Sequence, residues 1–213
     1  MDHMAGLPDK FYDLAIVDPP YGIGMDGNEK SEGKHGGRKA HIKKNWDKKP
    51  PDQKYFNEIF RISKEQIIFG INYFIDKINK PSMGWIVWDK EQRIKQSDGE
   101  LIYTSFNRAL RIIKINRVVL LKEGTILQVQ KPIKLYKWLL KKYDQPGWKI
   151  FDSHEGSGSH RIACYDMGFY HVGCENDKDI WRAQEERFKQ HVAQKSIFPV
   201  EEIQQSIYEQ ELI

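Results

Sequence analysis

Cysteine is scarce in this 213-residue chain, which has only Cys164 and Cys174. One lies in a helical-looking segment and the other in a strand-looking one, so packed free thiols are expected rather than a disulfide. No C-x-x-C or H-E-x-x-H spacing occurs, and neither a structural nor a catalytic metal is expected from those signatures. Long apolar runs are also missing. Those around Ile16 and Ile68 fall far short of the roughly 20 residues a bilayer span needs, and the amino terminus lacks a charged-then-apolar leader pattern. These absences predict a cytoplasmic protein with no membrane partner. Internal repeats are absent too.

What is present is enough for one core. With 39% hydrophobic and 12% aromatic residues, the chain is expected to form a single domain over residues 1–195, followed by a helical tail over 196–213. In that tail Val200, Ile203 and Ile207 stand at helical spacing. The net charge of +4 is modest, but its distribution is uneven. Eight basic side chains fall between Lys30 and Lys49, against only Glu32 and Asp47, and Gly33, Gly36 and Gly37 break any regular structure. Residues 30–49 therefore read as a basic flexible loop. Lys34, Arg38, Lys39, Lys43 and Lys44 are its candidate contacts to a phosphate backbone. A solvated loop without a partner fits the charge equally well.

Apolar runs alternate with segments of helical period, the pattern of an α/β sheet with crossover helices. Strands are expected at Tyr12–Asp18, Gln66–Phe69, Trp85–Asp89, Leu110–Ile115, Lys149–Asp152 and His171–Glu175. Helices are expected at Asp52–Ser63, at Pro132–Tyr143 with proline in the first turn, near His160–Met167 up to Gly168, and after Asp177 as a cap.

Two segments carry chemistry. The run from Lys149 to Ser159 is a short strand ending in Asp152, then a turn containing Gly156 and Gly158, then a helix start whose free N–H groups suit an anion. The next strand ends in Glu175, placed to accept hydrogen bonds from ribose hydroxyls. Glycine turns alone are often merely structural; strand, Gly-x-Gly, helix, strand and acid together favour nucleotide binding over a plain turn. The third glycine of a dinucleotide fingerprint and the Gly-Lys-Ser/Thr of a phosphate loop are both missing, so NAD and ATP are not favoured. Near the other end, Asp18-Pro19-Pro20-Tyr21 follows the apolar run Leu14–Val17. An acid, two rigid prolines and an aromatic after a buried strand suit a small polar site, or a proline-stiffened turn.

With these residues the chain resembles the amino-methyltransferases of DNA, which carry a D-P-P-Y tetrad and a D-x-F-x-G-x-G cofactor loop. The tetrad comes first, as in the permuted beta class. Gln130-Lys131-Pro132, Gly173-Cys-Glu-Asn-Asp177, Asn72-Tyr73-Phe74 and Trp88-Asp89-Lys90 are similar to further landmarks of phage and prophage adenine methylases. The likeness runs from about Leu7 to Phe188.

The resemblance implies a Rossmann-like α/β fold with a mostly parallel seven-stranded sheet, one antiparallel strand and circularly permuted motif order. It implies S-adenosyl-L-methionine as cofactor, held by Asp152, His154, Gly156, Ser157, Gly158, Ser159, Glu175, Asn176 and Lys131. Asp18, Pro19, Pro20 and Tyr21 would be catalytic, with the Asp18 carboxylate and a main-chain carbonyl near Pro19 drawing the amine toward a tetrahedral shape. Tyr21 would stack on a flipped base. DNA is the implied substrate, and a leading aspartate favours adenine over cytosine. Two departures stand out: His154 replaces the loop phenylalanine, and Leu127-Gln128-Val129 replaces a His-Pro-Thr before Gln-Lys-Pro. RNA or protein-glutamine methylation and a non-catalytic DNA-binding subunit are the competing readings. The short stretch between Ile115 and Gln130 leaves little room for base recognition, so either the basic loop supplies most of the grip or another chain supplies the specificity. A homodimer or a separate specificity chain are the partners to expect.

Overall fold

The computed structural model describes residues 1–27, 44–92 and 96–196. Strand β1 (Tyr12–Val17) lies at the heart of the sheet and is buried on both faces. Alternation along it divides the core: Leu14 and Ile16 face one hydrophobic cluster, Ala15 and Val17 the other. A run apolar on both faces is what a central parallel strand needs.

Around it stand β2 (Ser63–Phe69), β3 (Ile86–Asp89), β4 (Gly99–Thr104), β5 (Arg111–Lys114), β6 (Lys149–Asp152) and β7 (Tyr170–Gly173), in the order β5-β3-β4-β2-β1-β6-β7. Strand β4 runs antiparallel to β2 and β3, and every other pair is parallel. The expected seven-stranded sheet with one antiparallel strand is present among the described residues. From β1 the chain moves to β2 on one side, whereas β6 and β7 lie on the other. The carboxyl ends of β1 and β6 therefore flank a topological switch point, where open α/β sheets bind ligands.

The helices are α1 (Asp2–Ala5), α2 (Gln53–Ile62), α3 (Val119–Glu123), α4 (Ile133–Tyr143), α5 (Ser159–Met167) and α6 (Lys178–Ser196). Asp52 caps α2 by accepting the Tyr55 N–H at 3.0 Å. The helix buries Tyr55, Phe56, Ile59 and Ile62 against one face of the sheet, each large apolar side chain contributing roughly 1.5–3 kcal/mol. On the other face, α4 buries Leu135, Tyr136, Leu139, Leu140 and Tyr143, while Trp138 is only partly covered.

Pro132 is the residue before α4 rather than in its first turn, and the Ile133 N–H is accepted by the Glu123 carboxylate at the end of α3. Helix α5 ends at Gly168 with φ +74°, and Asp177 accepts N–H groups of Asp179 and Ile180 at the start of α6. Both ends lie where the sequence put them. Strand β4 and helices α1 and α3 were not expected. The tail at 197–213 lies outside the described residues, as do Lys34, Arg38, Lys39 and Lys43. No described helix is long and apolar enough to cross a membrane.

Candidate active site

One cavity of about 710 Å³ opens at the switch point, within the range of small-molecule sites. It is lined by Asp18, Pro19, Pro20 and Tyr21 on one side, by His154, Glu155, Gly156 and Ser157 together with Glu175 and Asn176 on another, and by Leu127–Lys131 between them. Two segments more than 130 residues apart in sequence thus share a single space, because β1 and β6 are parallel neighbours.

Asp18 belongs to a closed polar cluster. The Tyr21 hydroxyl lies 2.7 Å from Asp18 Oδ1 and 2.5 Å from Glu100 Oε1, so its single proton has two carboxylates to serve. Lys131 Nζ donates to Asp18 Oδ2 at 2.7 Å and to the Tyr21 oxygen at 3.1 Å, and lies 3.2 Å from Glu100 Oε1. Lys90 Nζ is 3.1 Å from Glu100 Oε2. Two lysines thus balance two carboxylates in a place shielded from water, where an uncompensated charge would be costly.

The charge states follow. Burial raises the Asp18 pKa, with the Glu100 charge adding to the effect, against the pull of Lys131. Burial acts the same way on Glu100, but Lys131 and Lys90 outweigh it and hold Glu100 below the usual glutamate range. Burial opposes the Lys131 charge, yet Asp18 and Glu100 prevail and raise its pKa, so it stays an ammonium. Burial and the two carboxylates keep Tyr21 a phenol, well above its ordinary pKa.

Tyr21 is held from several sides. Its ring stacks on Tyr73 with centroids 4.9 Å apart and planes 16° apart, and meets the edge of Phe74. Behind it Gly70 adopts φ +64°, and a Cβ there would lie 2.4 Å from the Tyr21 ring. Only glycine permits that approach. One Tyr21 face is therefore already covered by the partly exposed Tyr73.

On the other side, Glu175 accepts the Gly156 N–H through Oε2 at 3.0 Å and the Asp177 N–H through Oε1 at 2.8 Å, so its carboxylate braces the glycine turn. Burial raises its pKa. Asp152, Gly158 and Ser159 do not line the cavity. Asp152 lies behind it, accepting the His154 N–H at 2.9 Å and facing His160 Nδ1 at 2.9 Å. Burial pushes its carboxyl up to about 7. Gly158 has φ +71°, and its missing Cβ leaves room for Gln184 of α6, so helix packing also requires glycine there. Arg187 of α6 donates to the Ser157 carbonyl and the Ser159 hydroxyl. His154 packs edge-on against Tyr55, and burial lowers its pKa to about 4, leaving it neutral.

Lys131, expected beside the cofactor, lines the cavity and is paired there with Asp18 and Glu100. Lys44, expected on DNA, pairs with Asp177 and Asp179, each at 2.7 Å. Glu100 was missed altogether. It is brought in by an unexpected strand, and nothing local in Gly99–Thr104 marks it. Lys90 had a signal in the Trp88-Asp89-Lys90 landmark.

The topology and the cavity at its switch point define an α/β fold of the methyltransferase type. No protein-family model matches the chain, and no curated protein matches it. Among solved structures it is similar to the complex of M1.HpyAVI with S-adenosylmethionine, at 16% identity and TM-score 0.59, over 87% of this chain and 91% of that one. It is similar to TTHA0409 of Thermus thermophilus, assigned as a DNA modification methylase and complexed with S-adenosyl-L-methionine, at 14% identity and TM-score 0.56, over 90% of each chain. PvuII DNA methyltransferase, described as cytosine-N4-specific, matches at 10% identity and TM-score 0.57, over 87% of this chain and 82% of that one. At these identities the likeness establishes the fold.

Proposed function

We propose that this chain transfers a methyl group from S-adenosylmethionine to the exocyclic amine of adenine in DNA. The observation that carries the reading is the single cavity shared by the Asp18–Tyr21 tetrad and the glycine turn braced by Glu175. The fold neighbours include two proteins solved with S-adenosylmethionine. The donor set suits that ligand: a carboxylate for ribose hydroxyls, a turn at Gly156 and Ser157 that lines the cavity, and room for a nucleoside beside the tetrad. When bound, it supplies an electrophilic methyl group.

The protein's own task is to make a conjugated amine nucleophilic. Asp18 uses one lone pair on each oxygen for Tyr21 and Lys131, and a carboxylate oxygen has a second to offer. An amine N–H bonded there is polarised, and the carboxylate stabilises positive charge as it grows on the nitrogen. Lys131 and Tyr21 fix the carboxylate so that it need not reorganise, and positioning by the cavity wall adds to the rate. The target base must leave the duplex to reach this cavity. In the present arrangement Tyr21 supports Tyr73, and the exposed ring of the pair is the one available for stacking.

Incubation with isotopically labelled cofactor and DNA, RNA or protein, followed by digestion to nucleosides and mass spectrometry, tests the reading. N6-methyladenine in DNA is the expected product. N4-methylcytosine would change the base, and label only in RNA or protein would overturn the substrate.

Glu175→Ala should weaken S-adenosylmethionine and S-adenosylhomocysteine alike, since both carry the ribose. Each lost charge-assisted hydrogen bond is worth about 1.5–3 kcal/mol, part of which water recovers. Calorimetry with unchanged affinity for both would move the ribose contact elsewhere.

For DNA, the sequence of residues 30–49 remains the proposed source of affinity. Replacing Arg38, Lys39 and Lys43 by alanine should weaken DNA binding and reduce the slope of log K against log salt by about 0.9 for each phosphate no longer neutralised. Lys44 is left out of that set because it is tied to Asp177. A slope equal to the parent's would show that these side chains do not touch the backbone.

A further inference from the structure

Behind the glycine turn, between α5 and β7, lies a second polar cluster in an otherwise apolar setting. His160 and Cys164 are one turn apart on α5 and point the same way, and His171 comes from β7. One ligand atom from each lies within 4.8 Å of the others. His160 and Cys164 are fully buried, and the His171 side chain is 7% exposed.

The Nε2 atoms of both histidines are buried and have no hydrogen-bond partner, a situation that folded proteins avoid. Their other nitrogens face carboxylates: His160 Nδ1 is 2.9 Å from Asp152 Oδ2, and His171 Nδ1 is 3.8 Å from Glu155 Oε1. His160, giving its Nδ1 hydrogen to Asp152, presents a bare lone pair at Nε2, whereas His171 at 3.8 Å is near Glu155 without a hydrogen bond to it. The carboxylate–histidine arrangement at His160 orients an imidazole for a metal ion.

We propose that His160, Cys164 and His171 bind one thiophilic metal ion, Zn²⁺ in the first place. Two imidazoles and a thiolate are a donor set that soft and borderline ions take. Charge favours a divalent ion, because the Cys164 thiolate and the Asp152 carboxylate together neutralise it, and buried sites tolerate little net charge. Ligand atoms around tetrahedral zinc stand roughly 3.3–3.8 Å apart, given bond lengths of about 2.0–2.3 Å. The widest separation, 4.8 Å at most, need contract by about 1–1.5 Å, within reach of side-chain torsions.

Its ligand spacing, H-x-x-x-C on a helix with a second histidine seven residues further on, belongs to none of the usual metal signatures. The consequence is local, because Asp152 touches both the cluster and the His154 backbone of the turn. A bound ion would stiffen the turn from behind. This inference does not depend on the methyltransferase reading.

The full-length chain, purified and freed of metal with a chelator, should take up about one Zn²⁺ per chain with a dissociation constant below about 1 µM, measured by competition with a chromophoric chelator. Co²⁺ in its place should give a thiolate-to-cobalt charge-transfer band. In urea just below the unfolding transition, where the buried thiol becomes reachable, Zn²⁺ should also protect Cys164 from alkylation while leaving the reactivity of Cys174 unchanged, as mapped by mass spectrometry. Cys164→Ser and His171→Asn should each weaken binding at least about 100-fold, and Cys174→Ser should not. If the first two fail to fold, the charge-transfer band and the protection pattern of the unsubstituted chain still decide. No stoichiometric Zn²⁺ and no thiolate band would overturn the proposal, as would protection centred on Cys174. Uptake of one Cu⁺ and no Zn²⁺ would overturn the charge argument.

Discussion

Replacing Asp18 by alanine is expected to lower methyl transfer by about 10²–10³-fold or more, the range for losing one preorganised charge-stabilising group. S-adenosylmethionine affinity should stay within a few-fold. The contacts of the Asp18 carboxylate run to Tyr21 and Lys131, away from the glycine turn. The fold should survive, because Lys131 keeps Glu100 as a partner at 3.2 Å. Single-turnover kinetics alongside calorimetry separates these effects. Near-parent turnover would remove Asp18 from the chemistry, and a parallel collapse of cofactor affinity would make it a structural residue. Tyr21→Phe refines the picture, since it deletes the hydroxyl shared by the two carboxylates and keeps the ring stacked on Tyr73.

Lys131→Met should have the largest effect on stability. The substitution leaves Asp18 and Glu100 buried side by side, with Lys90 still paired to Glu100, and breaking a buried ion pair from one side costs about 3–5 kcal/mol. The sign of the pH dependence follows from linkage. Without the ammonium, burial and the Glu100 charge raise the Asp18 pKa further above its unfolded value, so the folded state binds more protons and stability falls as pH rises. The deficit relative to the parent should therefore be largest above neutrality and shrink on acidification through the carboxylate range. Urea titrations at pH 5 and pH 8 measure it. A deficit independent of pH would mean that Lys131 matters through packing on Tyr21 and Phe69, whose ring centroids lie 5.2 and 5.3 Å from its ammonium.

Much of this architecture was legible in the chain. The strand at residues 12–17 announces itself because both its faces are apolar, and α2 and α5 because Asp52 and Gly168 mark their ends. Helix α6 does so through Asp177. The tetrad and the glycine turn could be named from local sequence, and their meeting in one cavity follows from the parallel pairing of β1 and β6.

Strand β4 was not legible. Its first half carries Gly99 and Glu100, and a buried glutamate reads as a loop residue until the lysines at 90 and 131 are known to lie beside it. That is information from long range, which a local pattern does not hold. The role of Lys131 escaped for the same reason. Helix α3 has five residues and no side-chain cap, and owes its place to Glu123 reaching the start of α4. The close approach of Gln184 to Gly158 was not legible either, since it lies 26 residues further on.

The central position of β1 also has a consequence for synthesis. One of its edges is satisfied early by β2, but the other waits for β6, which begins only at Lys149. Until then a strand apolar on both faces presents an open edge, the kind of template that recruits other chains. Pairings across such a span make for slow folding and an exposed intermediate. A chain caught before Lys149 is made should aggregate more readily than one in which β6 has closed that edge.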